Sequence, residues 1–208
     1  MPDGKAGKQY MEIKAGIINI SCRQSVNEED GQMKKLLVVV DMQKDFINGS
    51  LGTREAAKIV SKVRDKIEEY VSQGQEVVFT LDTHFENYLD TQEGKKLPVK
   101  HCIKGTDGWK LWGELESFKG KRFEKGTFGS VECGEYAARG EYDSVELVGL
   151  CTDICVISNA MVIKAMAPET AVMVDQDCCA GVTPESHKNA LEAMKMCQIE
   201  ILGDNGHA

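Results

Sequence analysis

The sequence predicts an α/β fold in which helices cover both faces of a mostly parallel sheet. Two observations carry this. Short apolar runs alternate with longer amphipathic segments from Leu36 to the C-terminal region, the pattern of strand–helix units joined by right-handed crossovers. The first run, Leu36–Val40, is also apolar without interruption, as expected of a strand buried on both faces.

The elements follow in order. After the strand Leu36–Val40, Thr53 is a plausible N-cap for a helix reaching Ser72, with Val60, Val63, Ile67 and Val71 as its apolar stripe and Gly74 just past its end. Glu76–Leu81 reads as the second strand. Residues 82–122 show little periodicity and are far longer than an ordinary connection, which points to a functional loop. A short strand at Arg122–Glu124 and a short helix at Val131–Arg139 follow. Ser144–Val148 is the next strand, and the turn Gly149–Cys155 leads into a helix over Ile154–Met166. Thr170–Val174 is a strand, Thr183–Pro184 supplies an N-cap and N1 proline for a helix to about Met196, and Gln198–Leu202 closes the sheet.

The 208 residues suffice for one domain with a sizeable core. Residues 1–32 differ in character, with scattered Gly, Lys and Glu and one apolar patch at Ile17–Ile20. They read as an N-terminal extension, with the domain proper over 33–208. A net charge of −8 argues against nonspecific nucleic-acid or anionic-membrane binding. No apolar stretch approaches the roughly 20 residues of a membrane span, and the first residues are too polar for a secretory signal. The eight cysteines follow neither disulfide-framework nor zinc-type spacing, so reduced thiols in a cytoplasmic protein are expected.

Chemistry gathers at the strand ends. Parallel sheets bind ligands outside the carboxyl ends of their strands, and here those ends carry Asp41, Asp82, Lys125 and the Cys155 turn. A thiol at a helix N-terminus lies in the positive end of the helix dipole, which favours thiolate. Asp41 is placed to accept the thiol proton, Lys125 to balance the charge, and the amides of Cys151 and Cys155 to hold an oxyanion. For Asp41 alone, a strand-end cap bonding loop amides is the competing reading. That arrangement suits acyl transfer with a carboxylate in the role that histidine fills elsewhere.

Three segments, Val-Val-Val-Asp41-Met-Gln-Lys-Asp45-Phe46, Lys125-Gly-Thr-Phe128 and Gly149-Leu-Cys-Thr-Asp-Ile-Cys155-Val, resemble the isochorismatase-like cysteine hydrolase superfamily. Its members include nicotinamidases, N-carbamoylsarcosine amidases and ureidoacrylate amidohydrolases. The resemblance covers residues 36–202. It implies a three-layer α/β/α sandwich on a six-stranded sheet, a catalytic triad of Asp41, Lys125 and Cys155, and a cis peptide between Leu150 and Cys151. It further implies a hydrolase of linear amides with a small-molecule amide substrate, working as a homo-oligomer.

In the long loop, Asp82, His84, Glu93 and His101 are candidate ligands for one divalent metal, with Asp90 and Glu86 as alternatives to Glu93. Asp82, His84 and His101 resemble the metal site of nicotinamidases. Mixed imidazole and carboxylate ligation suits Zn, Mn or Fe. His187 and His207 read as bystanders.

By resemblance, Phe46 is an aromatic wall beside the substrate ring, and Phe128 lies in the matched Lys-Gly-Thr-Phe segment. Nicotinamidases of one type carry Trp three residues before the last metal histidine. Pro98 stands there in this chain, so Trp109 or Trp112 is expected to supply the opposite wall. Hydrolysis of nicotinamide to nicotinate and ammonia through a Cys155 thioester is the leading expectation. Carbamoyl or ureido amides and isochorismatase-type hydrolysis are alternatives within the superfamily. A silent binding or redox-sensing relative using Cys151 and Cys155 is the alternative outside catalysis.

Overall fold

The computed structural model describes residues 33–203. The extension 1–32 and His207 lie outside the described residues. Six strands, β1 (Lys35–Val40), β2 (Glu76–Asp82), β3 (Lys121–Lys125), β4 (Ser144–Leu150), β5 (Ala171–Ala180) and β6 (Glu200–Leu202), form one sheet in the order β3-β2-β1-β4-β5-β6. Every neighbouring pair is parallel. Six helices accompany them: α1 (Lys44–Ile47), α2 (Arg54–Ser72), α3 (Gln92–Lys96), α4 (Val131–Arg139), α5 (Ile157–Met166) and α6 (Pro184–Met196).

Strand alternation divides the core. Leu36, Val38 and Val40 of β1 point with Val145 and Leu147 toward α4, α5 and α6, where Ala137, Ile163 and Met194 are buried. Leu37 and Val39 point the other way with Phe79 and Val148, against α2 and against Leu111 and Leu115 of the long loop. β1 is central and covered on both sides, the physical reason its sequence is uniformly apolar.

Three sequence expectations need adjustment. α2 starts where expected, with the Thr53 hydroxyl accepting from Ala56 N at 3.0 Å, but it buries Ala56, Ile59, Val63, Ile67 and Tyr70. Val71 is 52% exposed, because the stripe steps from Ile67 to Tyr70 instead of Val71. β5 continues six residues beyond Val174. Its polar stretch Asp175–Asp177 reads as an end, yet pairing with β4 resumes after a register shift between Leu147 and Gly149. The expected helix from Ile154 begins as a single π turn, Thr152–Val156, before α5.

At Gly149 the chain has φ 118°, and a Cβ there would lie 2.2 Å from Val40 O. Only glycine allows β4 this close an approach to β1 just before the cysteine turn. The Leu150–Cys151 peptide is cis.

Candidate active site

Four consecutive strands, β3, β2, β1 and β4, deliver Lys125, Asp82, Asp41 and the Cys155 turn to one edge of the sheet. Asp82 and Lys125 are register partners across β2 and β3. Asp41 follows β1 in a left-handed conformation (φ 49°), which aspartate tolerates better than most side chains.

The Lys125 ammonium sits 2.6 Å from Asp41 Oδ2, 3.5 Å from Asp82 Oδ1 and 3.4 Å from Cys155 Sγ. Thr80 donates its hydroxyl to Asp41 Oδ1 at 2.6 Å. All four ionisable groups are buried, so each charge depends on its neighbours. Burial draws the Lys125 pKa down, but Asp41, Cys155 and Asp82 together hold it above its ordinary value. Burial raises Asp82, yet the adjoining His101 and His84 imidazoles and the charge of Lys125 hold it well below the carboxylate range. Asp41 is different: burial outweighs Lys125 and raises its pKa.

Burial and the facing Asp41 charge push the Cys155 thiol well above its usual value. This corrects the expectation that the helix dipole leaves a thiolate. The turn is short and π-helical, Cys155 is buried beside a carboxylate, and desolvation dominates. The resting group is a thiol opposite a carboxylate whose own proton affinity is raised, an arrangement fit for proton transfer between them.

A second cluster adjoins the first. Asp82, His84 and His101 bring ligand atoms within 4.8 Å of one another. Asp82 Oδ2 lies 3.0 Å from His84 Nε2 and 3.4 Å from His101 Nε2, and Glu93 Oε1 lies 3.7 Å from both imidazole nitrogens. His101 Nδ1 is 2.8 Å from Val99 O. A carbonyl only accepts, so Nδ1 carries the proton and Nε2 of the neutral ring offers its lone pair toward Asp82. His84 Nε2 is buried without a hydrogen-bond partner. Buried nitrogens turned toward carboxylate oxygens fit a cation between them. Of the three acids considered for a fourth ligand, Glu93 is the one beside these nitrogens. Glu86 is 84% exposed in an ion pair with Lys100, and Asp90 is exposed.

The two clusters meet at a cavity of about 570 Å3 lined by Cys151, Cys155, Asp82, Glu93, His101 and Phe46 among others. Phe46 tilts against His101 at 5.6 Å between ring centres. Phe128 also lines the cavity. Trp109 does not, which corrects its expected place as the opposite wall. Its indole donates to Thr83 Oγ1 at 2.9 Å, and both Trp109 and Trp112 pack against the α2-side core. Leu97 lines the cavity, beside Pro98.

Several residues that sequence reasoning passed over hold this geometry. The Gln43 amide donates to Asp82 O and Trp109 O, both at 2.8 Å, and accepts from Asp82 N at 2.7 Å. Asp45 accepts from Cys102 N at 2.8 Å, anchoring the residue after His101. Buried Tyr88 packs against the rings of His84 and His101 at 4.7 and 5.0 Å. Asn159 of α5 accepts from Ser130 N and donates to Cys155 O at 2.8 Å and Phe128 O at 3.2 Å, joining the Cys155 turn to the segment after Lys125. An asparagine inside the apolar helix Ile157–Met166 was the available signal. His187 is half-buried, with Nδ1 2.7 Å from the Thr152 hydroxyl.

The Isochorismatase domain model matches residues 35–203 of the chain. A Bacillus subtilis protein described as an uncharacterized isochorismatase family protein is 28% identical over 173 residues, 76% of this chain and 93% of its own. The Mycobacterium tuberculosis nicotinamidase/pyrazinamidase is 26% identical over 185 residues, 81% of this chain and 98% of its own. Among solved structures, the pyrazinamidase of Pyrococcus horikoshii in complex with zinc superposes with a TM-score of 0.73 at 27% identity, covering 82% of this chain and 99% of that one.

Proposed function

Because this chain belongs to the isochorismatase family, we propose that it is a nicotinamidase, hydrolysing nicotinamide to nicotinate and ammonia. The observation that carries this reading is Lys125 seated between the Asp41 carboxylate and the Cys155 thiol, with an Asp–His–His cluster opening onto the same cavity.

In this mechanism Asp41 takes the thiol proton as Cys155 Sγ attacks the amide carbonyl. Lys125 keeps its charge throughout and stabilises the developing thiolate. The amides of Cys151 and Cys155 hold the oxyanion. The proton on Asp41 passes to the leaving nitrogen, the C–N bond breaks, and ammonia departs from a thioester. Asp41 then takes a proton from water, which attacks the thioester. Its S–C bond breaks, nicotinate forms and the proton returns to Cys155. The raised proton affinity of Asp41 suits a group that must receive and return a proton in each half.

Asp82, His84, His101 and Glu93 would hold a divalent metal of the Zn, Mn or Fe kind, which supplies a Lewis acid for an electron-rich atom of the substrate. Phe46 and Phe128 bound the substrate. No helix among the described residues is long and apolar enough to cross a membrane. Cytoplasmic location, homo-oligomeric assembly and an appended segment 1–32 belong to this reading through sequence resemblance and composition.

The test is ammonia release from nicotinamide, beside a panel of carbamoyl and ureido amides, on protein with quantified metal. Fast nicotinamide turnover with about one metal per chain is expected. Turnover of acyclic amides alone would replace the substrate and retain the hydrolase.

A further inference from the structure

The cavity at Cys155 is larger than a single aromatic ring requires. It encloses about 570 Å3, whereas a dry cavity of roughly 150 Å3 accommodates one benzene ring. Part of its lining is the chemistry: Cys151, Cys155, Asp82 and His101. The remaining wall includes Leu97, Phe128 and Val182, which arrive from three separate segments. These three are 38%, 48% and 50% exposed, unusual for large apolar side chains bordering one hollow. Single exposed apolar residues are ordinary, but three around one concave site mark a surface that a ligand covers.

The matching ligand is an aromatic amide carrying a second apolar group. We infer that the enzyme hydrolyses aryl-extended pyridine-3-carboxamides, with the carboxamide at Cys155 and the second ring against Leu97, Phe128 and Val182. The inference rests on the amidase reading above and deepens it. The bond changes are those of the parent reaction: the amide C–N bond breaks as the thioester forms, ammonia leaves, and water cleaves the thioester. Leu97 is the residue that sets the size limit. It follows α3, whose Glu93 faces the imidazole cluster, and a larger side chain at 97 takes up space along its own stretch of the cavity lining.

The experiment compares nicotinamide with 5-phenylnicotinamide, whose phenyl group leaves both flanks of the pyridine nitrogen free, on the full chain and on Leu97→Trp and Val182→Trp. Direct binding of both amides is measured by calorimetry on Cys155→Ala. The expected kcat/KM for the phenyl amide is within about tenfold of nicotinamide, and each Trp variant lowers it by about tenfold or more while nicotinamide changes by less than about threefold. Val182→Trp keeps the test valid if Leu97→Trp fails to fold. Nicotinamide turnover without turnover or inhibition by the phenyl amide overturns the inference and leaves the nicotinamidase reading standing. If neither amide is hydrolysed, the nicotinamidase reading fails. Phenyl-amide binding that both Trp variants weaken then still supports the outer subsite, and absence of binding overturns it.

Discussion

His187 Nδ1 on α6 lies 2.7 Å from the hydroxyl of Thr152, the residue between Cys151 and the rest of the Cys155 turn. Thr152 is fully buried, and its neighbour Asp153 accepts from Val182 N at 3.1 Å. The start of α6 and the loop before it thus brace the segment that carries both proposed oxyanion amides. His187→Ala leaves a buried hydroxyl without its partner, at a cost of about 1–3 kcal/mol. The expected result is kcat down about tenfold with KM little changed. His187→Asn, whose amide reaches the same position as Nδ1, is expected to restore most of the loss. Steady-state kinetics on the two variants check this; equal defects in both would reduce His187 to packing.

The buried thiol of Cys155 gives a distinctive pH response. Because burial and Asp41 raise its pKa, alkylation by iodoacetamide is expected to be slow at neutral pH and to climb as pH rises beyond about 8.5, the ordinary cysteine range. Site-resolved mass spectrometry separates Cys155 from exposed Cys197. A rate that is high and flat from pH 6 to 8, to order of magnitude, would restore the dipole-stabilised thiolate. Cys155→Ala is expected to keep the fold and lose turnover.

Removing either charge of the central pair separates chemistry from stability. Asp41→Asn preserves shape, and its activity is expected to fall at least about a thousandfold with the proton acceptor gone. Lys125→Met leaves Asp41 and Asp82 buried without their cation, and a loss of about 3–5 kcal/mol in stability is expected beside the loss of activity. Denaturant unfolding and ammonia release measure the two effects on the same samples.

Metal should bind with a stoichiometry set by Asp82, His84 and His101. The expected content is about one ion per chain, with an upward shift in melting temperature on adding zinc to stripped protein. His84→Ala and His101→Ala are expected to abolish that shift, and Glu93→Gln to reduce it. Elemental analysis and thermal melts check both. A zinc shift unchanged in His101→Ala would separate the cluster from metal binding.

Away from the site, Lys66 bridges Glu146 at 2.9 Å and Asp175 at 3.0 Å, and Tyr70 donates to Glu146 at 2.6 Å, tying α2 to β4 and β5. Burial raises Asp175, but the Lys66 hydrogen bond and charge outweigh it and leave its pKa lowered. A lowered folded-state pKa contributes stability that is present above the unfolded value, about 3.9, and is lost as pH falls below it. Unfolding free energy measured from about pH 5 down to 2 is expected to fall more steeply in the wild-type protein than in Asp175→Asn.

The sequence by itself determined the order of the elements, the central strand, both long helix N-caps and the strand-end placement of Asp41, Asp82, Lys125 and Cys155. These are legible because periodicity, capping chemistry and apolar runs are local properties of the chain. Tertiary structure alone decided the ionisation of Cys155, since desolvation depends on everything packed around the thiol. It also decided that β5 runs on past its acidic residues, because Lys66 from α2 pairs with Asp175 of β5 and with the neighbouring Glu146 of β4. Trp109 illustrates the same limit. Its loop position suited a cavity wall, but the loop's path turns the indole to Thr83 and leaves Leu97 facing the hollow. Which side chains meet across 30 or more residues of chain depends on how the sheet orders its strands, and that order is a property of the packed whole rather than of any one segment.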